Sequence, residues 1–225
     1  MSADKGLAGN SPGASPDEWK PAPPESRNAT EEAIVDAARD ALAEVPFRRL
    51  TMELIAQRAF VSRTALYFYF PNKRAVVDRL IQQTFTDTYD AAKPYIEGSG
   101  DPRKELYVAL SQVVEIVDRD GHVLMLAAGL SGEEDHLPPE WAPYVARFFD
   151  GTASRIARDQ QSGIAPTDIP PRLAAQALVA MVERHVTLEL IAGGGDAHQT
   201  IKLLAELWWR AVYWPPREDA TGAGR

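Results

Sequence analysis

Seven basic residues fall between positions 48 and 79 (Arg48, Arg49, Arg58, Arg63, Lys73, Arg74 and Arg79), with only Glu53 and Asp78 to oppose them. Thr51, Ser62, Thr64, Tyr67 and Tyr69 add hydroxyl groups to the same stretch. Guanidinium and ammonium groups neutralise phosphates, and a guanidinium fork also pairs with a guanine edge. Hydroxyls of Thr and Tyr reach phosphate oxygens, and the Thr methyl suits a thymine methyl. The chemistry on offer is recognition of a polyanion by one short element. A chance cluster of solvated charges has the same composition, so the case turns on spacing.

The rest of the 225-residue chain is acidic. Overall, 24 Lys and Arg stand against 32 Asp and Glu, a net charge of −8, so a block of +5 sits on a body of −13. That balance disfavours a protein that coats or compacts nucleic acid through bulk charge. Catalysis finds little to work with. Cys is absent, which removes disulfides, thiolate zinc sites and cysteine nucleophiles, and fits a reducing cytoplasm. His122, His136, His185 and His198 are scattered without metal-ligand spacing, and Ser131 lies in Leu-Ser-Gly, which is not a nucleophile elbow. Gly193–Gly195 lacks the lysine of a phosphate loop and reads as a helix stop. No catalytic residue, metal site or cofactor is expected. No apolar run is long enough for a membrane span, and the first residues lack the features of a secretory signal, so a soluble, cytoplasmic protein without a membrane partner is expected.

The elements that must position the basic block are helices. Apolar spacing is helical almost throughout, and no convincing alternating strand appears, which predicts an all-α fold of about nine helices. Residues 1–27 hold five prolines and three glycines and read as a flexible N-terminal arm; residues 215–225 read as a flexible tail. A first helix is expected from about Asn28 to Val45, closed by Pro46. A second begins at Thr51 and a third at Ser62, each residue serving as N-cap. About three residues separate the second and third helices, which is helix-turn-helix spacing. A fourth starts near Asn72. Asp101-Pro102 opens a fifth that Gly121 ends, and a short segment, 122–130, follows it. The seventh carries Trp141, Val145, Phe148 and Phe149. Pro170-Pro171 opens the eighth, and the ninth spans Ala197 to Trp214. These helices divide into an expected N-terminal domain, residues 28–75, and a larger second one, 76–214.

The stretch Met52–Leu80 resembles the DNA-binding domain of the TetR family of bacterial repressors. That family places an Ile-Ala-x-x-Ala helix before a Val-Ser turn, then a recognition helix, a short break and a lysine. The corresponding places here are Ile55-Ala56, Ala59, Val61-Ser62, Thr64, Leu66-Tyr67, Phe70 and Lys73. The resemblance implies a DNA-binding domain over residues 28–75, a ligand-binding and dimerisation domain over 76–214, and DNA contacts from Thr51, Ser62, Arg63, Thr64, Tyr67, Tyr69 and Lys73. Leu66, Phe68 and Phe70 read as core, as apolar and aromatic residues at helical spacing usually do. One departure is Phe60, where the family usually has glycine at the turn. Glycine accepts a positive φ at no steric cost and phenylalanine does so only with strain.

Further along, the chain is similar to the branch of ethionamide-activation repressors, through the Tyr67–Pro71 run, Val182-Glu183-Arg184 and Trp208-Trp209. That resemblance implies an apolar pocket lined by Leu106, Val113, Val117, Trp141, Val145, Phe148, Thr152, Val179, Val182, Glu183, Val186 and Trp208. Val179 and Val182 stand where the branch has asparagines, so this pocket should be more apolar. Glu183 is either a ligand contact or a solvated edge charge. The eighth and ninth helices are apolar on more than one stripe, which predicts burial in a homodimer. The reading is a ligand-responsive repressor that binds a palindromic double-stranded DNA operator as a homodimer and is released by a small hydrophobic effector. The alternative is a helical carrier or an enzyme that uses the same pocket without specific DNA binding.

Overall fold

The computed structural model describes residues 24–127, 142–191 and 193–214. Its regular elements are all helical: α1 (Pro24–Glu44), a 3₁₀ turn (Phe47–Arg49), α2 (Met52–Arg58), α3 (Arg63–Tyr69), α4 (Lys73–Ile96), α5 (Pro102–Ala127), α6 (Ala142–Gln161), α7 (Pro171–Val186), a π-helical turn (Thr187–Ile191) and α8 (Ala197–Val212). Two boundaries differ from the sequence expectation. The first helix begins at Pro24 instead of Asn28, because proline's fixed φ and missing N–H suit the first turn of a helix. Gly121 does not end the fifth helix. α5 continues to Ala127, and only Asp120 (φ −119, ψ 16) leaves helical geometry, so residues 122–127 of the expected short segment continue α5 beyond a kink, and 128–130 lie outside the described residues. Counted this way there are eight α-helices among the described residues, and the expected seventh, eighth and ninth are α6, α7 and α8.

Burial follows two clusters. At one end Ile34, Val35, Ala38, Leu50, Ile55, Leu66, Val76, Val77 and Leu80 pack α1 to the first turns of α4, and Val123 and Leu126 from the far end of α5 complete the set. At the other end Tyr95, Leu106, Leu110, Val117, Ile156, Leu178, Leu204 and Trp208 join α4 through α8. α4 and α5 run through both clusters, so the two ends share their longest helices. Leu66 is fully buried, and truncating such a leucine to alanine costs about 2–5 kcal/mol. The glycine stop after the π-helical turn is as expected: Gly194 takes φ 64, and Gly195 N–H donates to Glu189 O at 2.6 Å.

Candidate nucleic-acid interface and ligand cavity

Three short side chains hold the head's helices in place. Thr51 Oγ1 accepts from Leu54 N–H (3.1 Å), Ser62 Oγ from Ala65 N–H (3.1 Å) and Asn72 Oδ1 from Ala75 N–H (2.9 Å), which satisfies amides left open at each helix start. Between α2 and α3 the chain turns through a left-handed residue. Phe60 N–H donates to Gln57 O (3.3 Å) and Val61 N–H to Ala56 O (3.1 Å), the paired bonds of a Schellman turn. The left-handed position is Phe60, at φ 55 and 96% exposed. The departure noted in the sequence is thus a real backbone strain, with no burial of the ring to offset it.

On α3 the helical period sorts the aromatic run. Arg63, Thr64, Tyr67 and Phe68 share an exposed face, while Leu66 and Phe70 are buried and Tyr69 packs against the core. Two expectations change here. Phe68 is not core but 59% exposed, and Tyr69 turns inward because it lies three residues after Leu66. Thr51 and Ser62 are exposed as well as capping. Lys73 departs furthest from its expected place on a phosphate. Its ammonium donates to Phe47 O (2.8 Å), Leu50 O (3.0 Å) and Arg48 O (3.3 Å) and lies 4.5 Å from the Phe47 ring centre. An ammonium has three N–H donors, and all three close the end of the 3₁₀ turn.

The basic block is also partly spent internally. Arg58 pairs with Glu44, Arg74 with Asp78 at 2.7 Å and Arg79 with Glu31 at 3.1 Å. Arg63, at the first position of α3, has no hydrogen-bond or ion-pair partner among the described residues and is exposed.

Behind the head lies an apolar cavity of about 190 Å³. It brings together Leu106, Val113, Val117, Val145, Phe148, Thr152, Val179, Val182, Glu183, Val186 and Trp208; Trp141 lies outside the described residues. Sequence reasoning missed the α4 wall, formed by Phe85, Thr88, Ala92, Tyr95 and Ile96, and also Leu124, Thr187 and Ile191. The inward stripe of α4 beyond Leu80 was the available signal.

One end of the cavity is closed by a chain of donors. Trp208 Nε1–H donates to Tyr95 Oη (3.1 Å), Tyr95 pairs with Tyr213 Oη (2.8 Å), and Tyr213 donates to Asp159 Oδ2 (2.7 Å). Buried Arg155 donates to Asp159 (2.7 Å), Glu105 (2.5 Å) and Tyr95 O (2.8 Å). Burial pushes the Tyr95 hydroxyl up to about 12 and raises Tyr213 further, since ionising either would place charge in an apolar wall beside Asp159. Burial works against the Arg155 charge, yet its bonds to Asp159 and Glu105 outweigh that and hold its pKa above the ordinary arginine value. The network leaves Tyr95 with no spare proton for a ligand.

The kink in α5 connects cavity and head. Asp120 is fully buried; it accepts from Thr84 Oγ1 (3.3 Å) and Arg119 (2.7 and 3.0 Å), and its other oxygen lies 3.0 Å from Arg39 Nε on α1, without hydrogen-bond alignment. His122 Nε2 lies 3.2 Å from Arg39 O. Next to Asp120, a β-carbon on Gly121 would stand 3.3 Å from cavity-lining Ile191.

Together, an exposed helix face beside a capped turn, at one end of a helical body, defines a helix-turn-helix DNA-binding protein. Residues 34–80 match bacterial regulatory proteins of the tetR family, and residues 106–214 match the C-terminal domain of the transcriptional regulator EthR. The HTH-type transcriptional regulator EthR of Mycobacterium tuberculosis is 26% identical over 185 residues, covering 80% of this chain and 86% of that one. Among solved structures, the fatty acid degradation regulator FadR from Bacillus halodurans superposes with a TM-score of 0.67 at 19% identity, over 84% of this chain and 96% of that one. A SmeT–triclosan complex gives 0.59 at 20% identity, over 85% and 99%. The chain belongs to the TetR family, in its EthR-like branch. It is a DNA-binding transcriptional regulator of the repressor type and not an enzyme.

Proposed function

We propose that this chain represses transcription by binding a palindromic operator as a homodimer, and that a small, largely apolar effector releases it. The observation that carries this reading is the double use of α4. Its first turns put Val76, Val77 and Leu80 into the core beneath α3, and its later turns put Phe85, Thr88, Ala92 and Tyr95 into the cavity wall. A ligand that prefers one setting of that wall biases the setting of the reading helix, and differential affinity for the two states is all the mechanism requires. Arg63, Thr64 and Tyr67 are the proposed operator contacts, with Thr51 and Ser62 flanking them; Arg63 is the residue suited to a guanine edge. Residues 28–75 serve as the reading domain and 76–214 as the sensing and dimerisation domain.

The dimer is proposed to form through α7 and α8. Leu203, Leu207 and Trp214 extend an exposed stripe along and just beyond α8, and Leu173 and Leu188 do so along α7 and the π-helical turn. A monomer would leave that apolar surface in water. Two-fold pairing would set two α3 helices about 34–36 Å apart, one turn of DNA. No described helix is long and apolar enough to cross a membrane, which is compatible with the cytoplasmic site of action expected of a DNA-binding protein.

The reading is tested by fluorescence anisotropy with a duplex from upstream of the protein's own gene and a random duplex of equal length. Preferential, salt-sensitive binding that falls at least about tenfold in Arg63→Ala supports it, because one good base contact discriminates by roughly 1–3 kcal/mol. Equal affinity for both duplexes would overturn it.

A further inference from the structure

Among the described residues, one that lines the cavity carries a formal charge: Glu183 lines the wall, and no described lysine, arginine or histidine does. Glu183 is exposed, which places it at the mouth, and it has no hydrogen-bond or ion-pair partner among the described residues. Its chain neighbours Arg184 and His185 do not line the cavity. Val179 and Thr187, one turn before and one turn after Glu183, line the same wall, so the carboxylate belongs to a stripe that faces the lumen.

The other polar groups of the wall are neutral, chiefly hydroxyls, which can donate or accept, and none is a cation. The Tyr95 hydroxyl is engaged by Trp208 and Tyr213, and Thr88 Oγ1 donates to Thr84 O at 2.7 Å. Thr152 and Thr187 are 2% and 8% exposed, and neither hydroxyl has a hydrogen-bond partner among the described residues. Thr187 opens the π-helical turn that carries Ile191 into the same cavity. π-Helical turns are rare and concentrate at functional sites.

A carboxylate beside an apolar lumen favours a ligand that brings the opposite charge. It disfavours a ligand carboxylate, which would set a like charge beside it, and it is indifferent to a neutral group of the same size. We infer that the cavity selects a cationic amphiphile, with an aryl or alkyl body among Phe85, Val117 and Phe148 and a protonated amine at Glu183, the Thr187 hydroxyl accepting a second N–H. This rests on the proposal that the cavity is the effector site, and it adds the chemical class of the effector.

The test uses the full chain and three probes that share one body: 4-phenylbutylamine, 4-phenylbutan-1-ol and 4-phenylbutanoate, titrated at neutral pH by calorimetry. The amine is expected to bind about tenfold more tightly than the alcohol, the scale of a charge-assisted hydrogen bond discounted for partial exposure, with the butanoate weakest. In Glu183→Gln the amine should fall to the alcohol's affinity while the alcohol stays within about twofold, since the neutral amide keeps the shape and removes the charge. The ranking of the three probes on the unaltered chain stands even if that variant folds poorly. Equal affinities for amine and alcohol, tighter binding of the butanoate, or an amine preference that survives in Glu183→Gln would overturn the inference and leave the cavity proposal intact. Failure of all three probes to bind would overturn both.

Discussion

Phe60 offers a clean measurement of stored backbone strain. Its φ of 55 lies in the left-handed region, where a β-carbon costs roughly 1–2 kcal/mol. The ring is 96% exposed, so deleting it forfeits almost no burial, and the two hydrogen bonds of the turn use backbone atoms that any residue supplies. Phe60→Gly should therefore relieve the strain. Glycine's greater freedom in the unfolded chain takes back about 0.5–1 kcal/mol, leaving a net gain of about 0.5–1 kcal/mol. In urea denaturation the midpoint should rise with an unchanged slope. In thermal melting the shift should be about 1–4 °C for a chain of this size. Two controls isolate the cause. Phe60→Ala keeps the β-carbon and removes the ring, so its stability should match the parent within about 0.5 kcal/mol. Phe60→Asn should fall between alanine and glycine, because asparagine tolerates the left-handed region better than most residues. If alanine stabilised as much as glycine, or glycine destabilised the fold, the strain argument would be wrong.

Three other substitutions or titrations follow from the same geometry. Lys73→Met should destabilise the head by about 1–3 kcal/mol, because it strips the donors from three carbonyls. The salt dependence of operator binding should keep its slope, whereas loss of one phosphate contact from each protomer of the dimer would lower it by about 1.8. Leu207→Glu should convert the chain to a monomer in sedimentation and weaken operator binding, and a dimer that persisted would argue against the α7–α8 interface. The buried tyrosines make stability fall in alkali. Tyr95 has its folded pKa raised to about 12 from an ordinary value near 10, so its contribution is complete below about pH 10 and is lost as pH rises towards 12. Urea midpoints should decline across that window, and Tyr95→Phe should flatten part of the decline.

Much of the fold was legible because local chemistry and tertiary packing agree. Thr51, Ser62 and Asn72 cap as their types dictate, and the spacing of Leu66, Phe70, Val76 and Leu80 carries the head's core. Where single residues answer to longer-range contacts, the reading slipped. Lys73 read as a phosphate ligand because nothing local reveals three carbonyls more than twenty residues upstream. Phe68 read as core by composition, although the helical period from buried Leu66 turns it outward and Tyr69 inward. Gly121 read as a stop because glycine often ends helices. Here it continues one, next to a kink held by Asp120 and packed against Ile191. The cavity was found on three of its walls and missed on α4, since a stripe that lines an empty space and one that fills a core have the same spacing. The α5 kink, the Arg155 network and the unpartnered Glu183 became visible only once distant residues were in contact.

The central claim is that the exposed face of α3, presented twice by a symmetric dimer, reads one stretch of duplex. Hydroxyl-radical footprinting on the DNA upstream of the protein's own gene tests it most directly. The account predicts protected patches related by a dyad and centred one helical turn, about 34–36 Å, or a multiple of it apart. These patches should vanish with Arg63→Ala. Uniform protection, a single asymmetric patch, or patches that persist without Arg63 would contradict it.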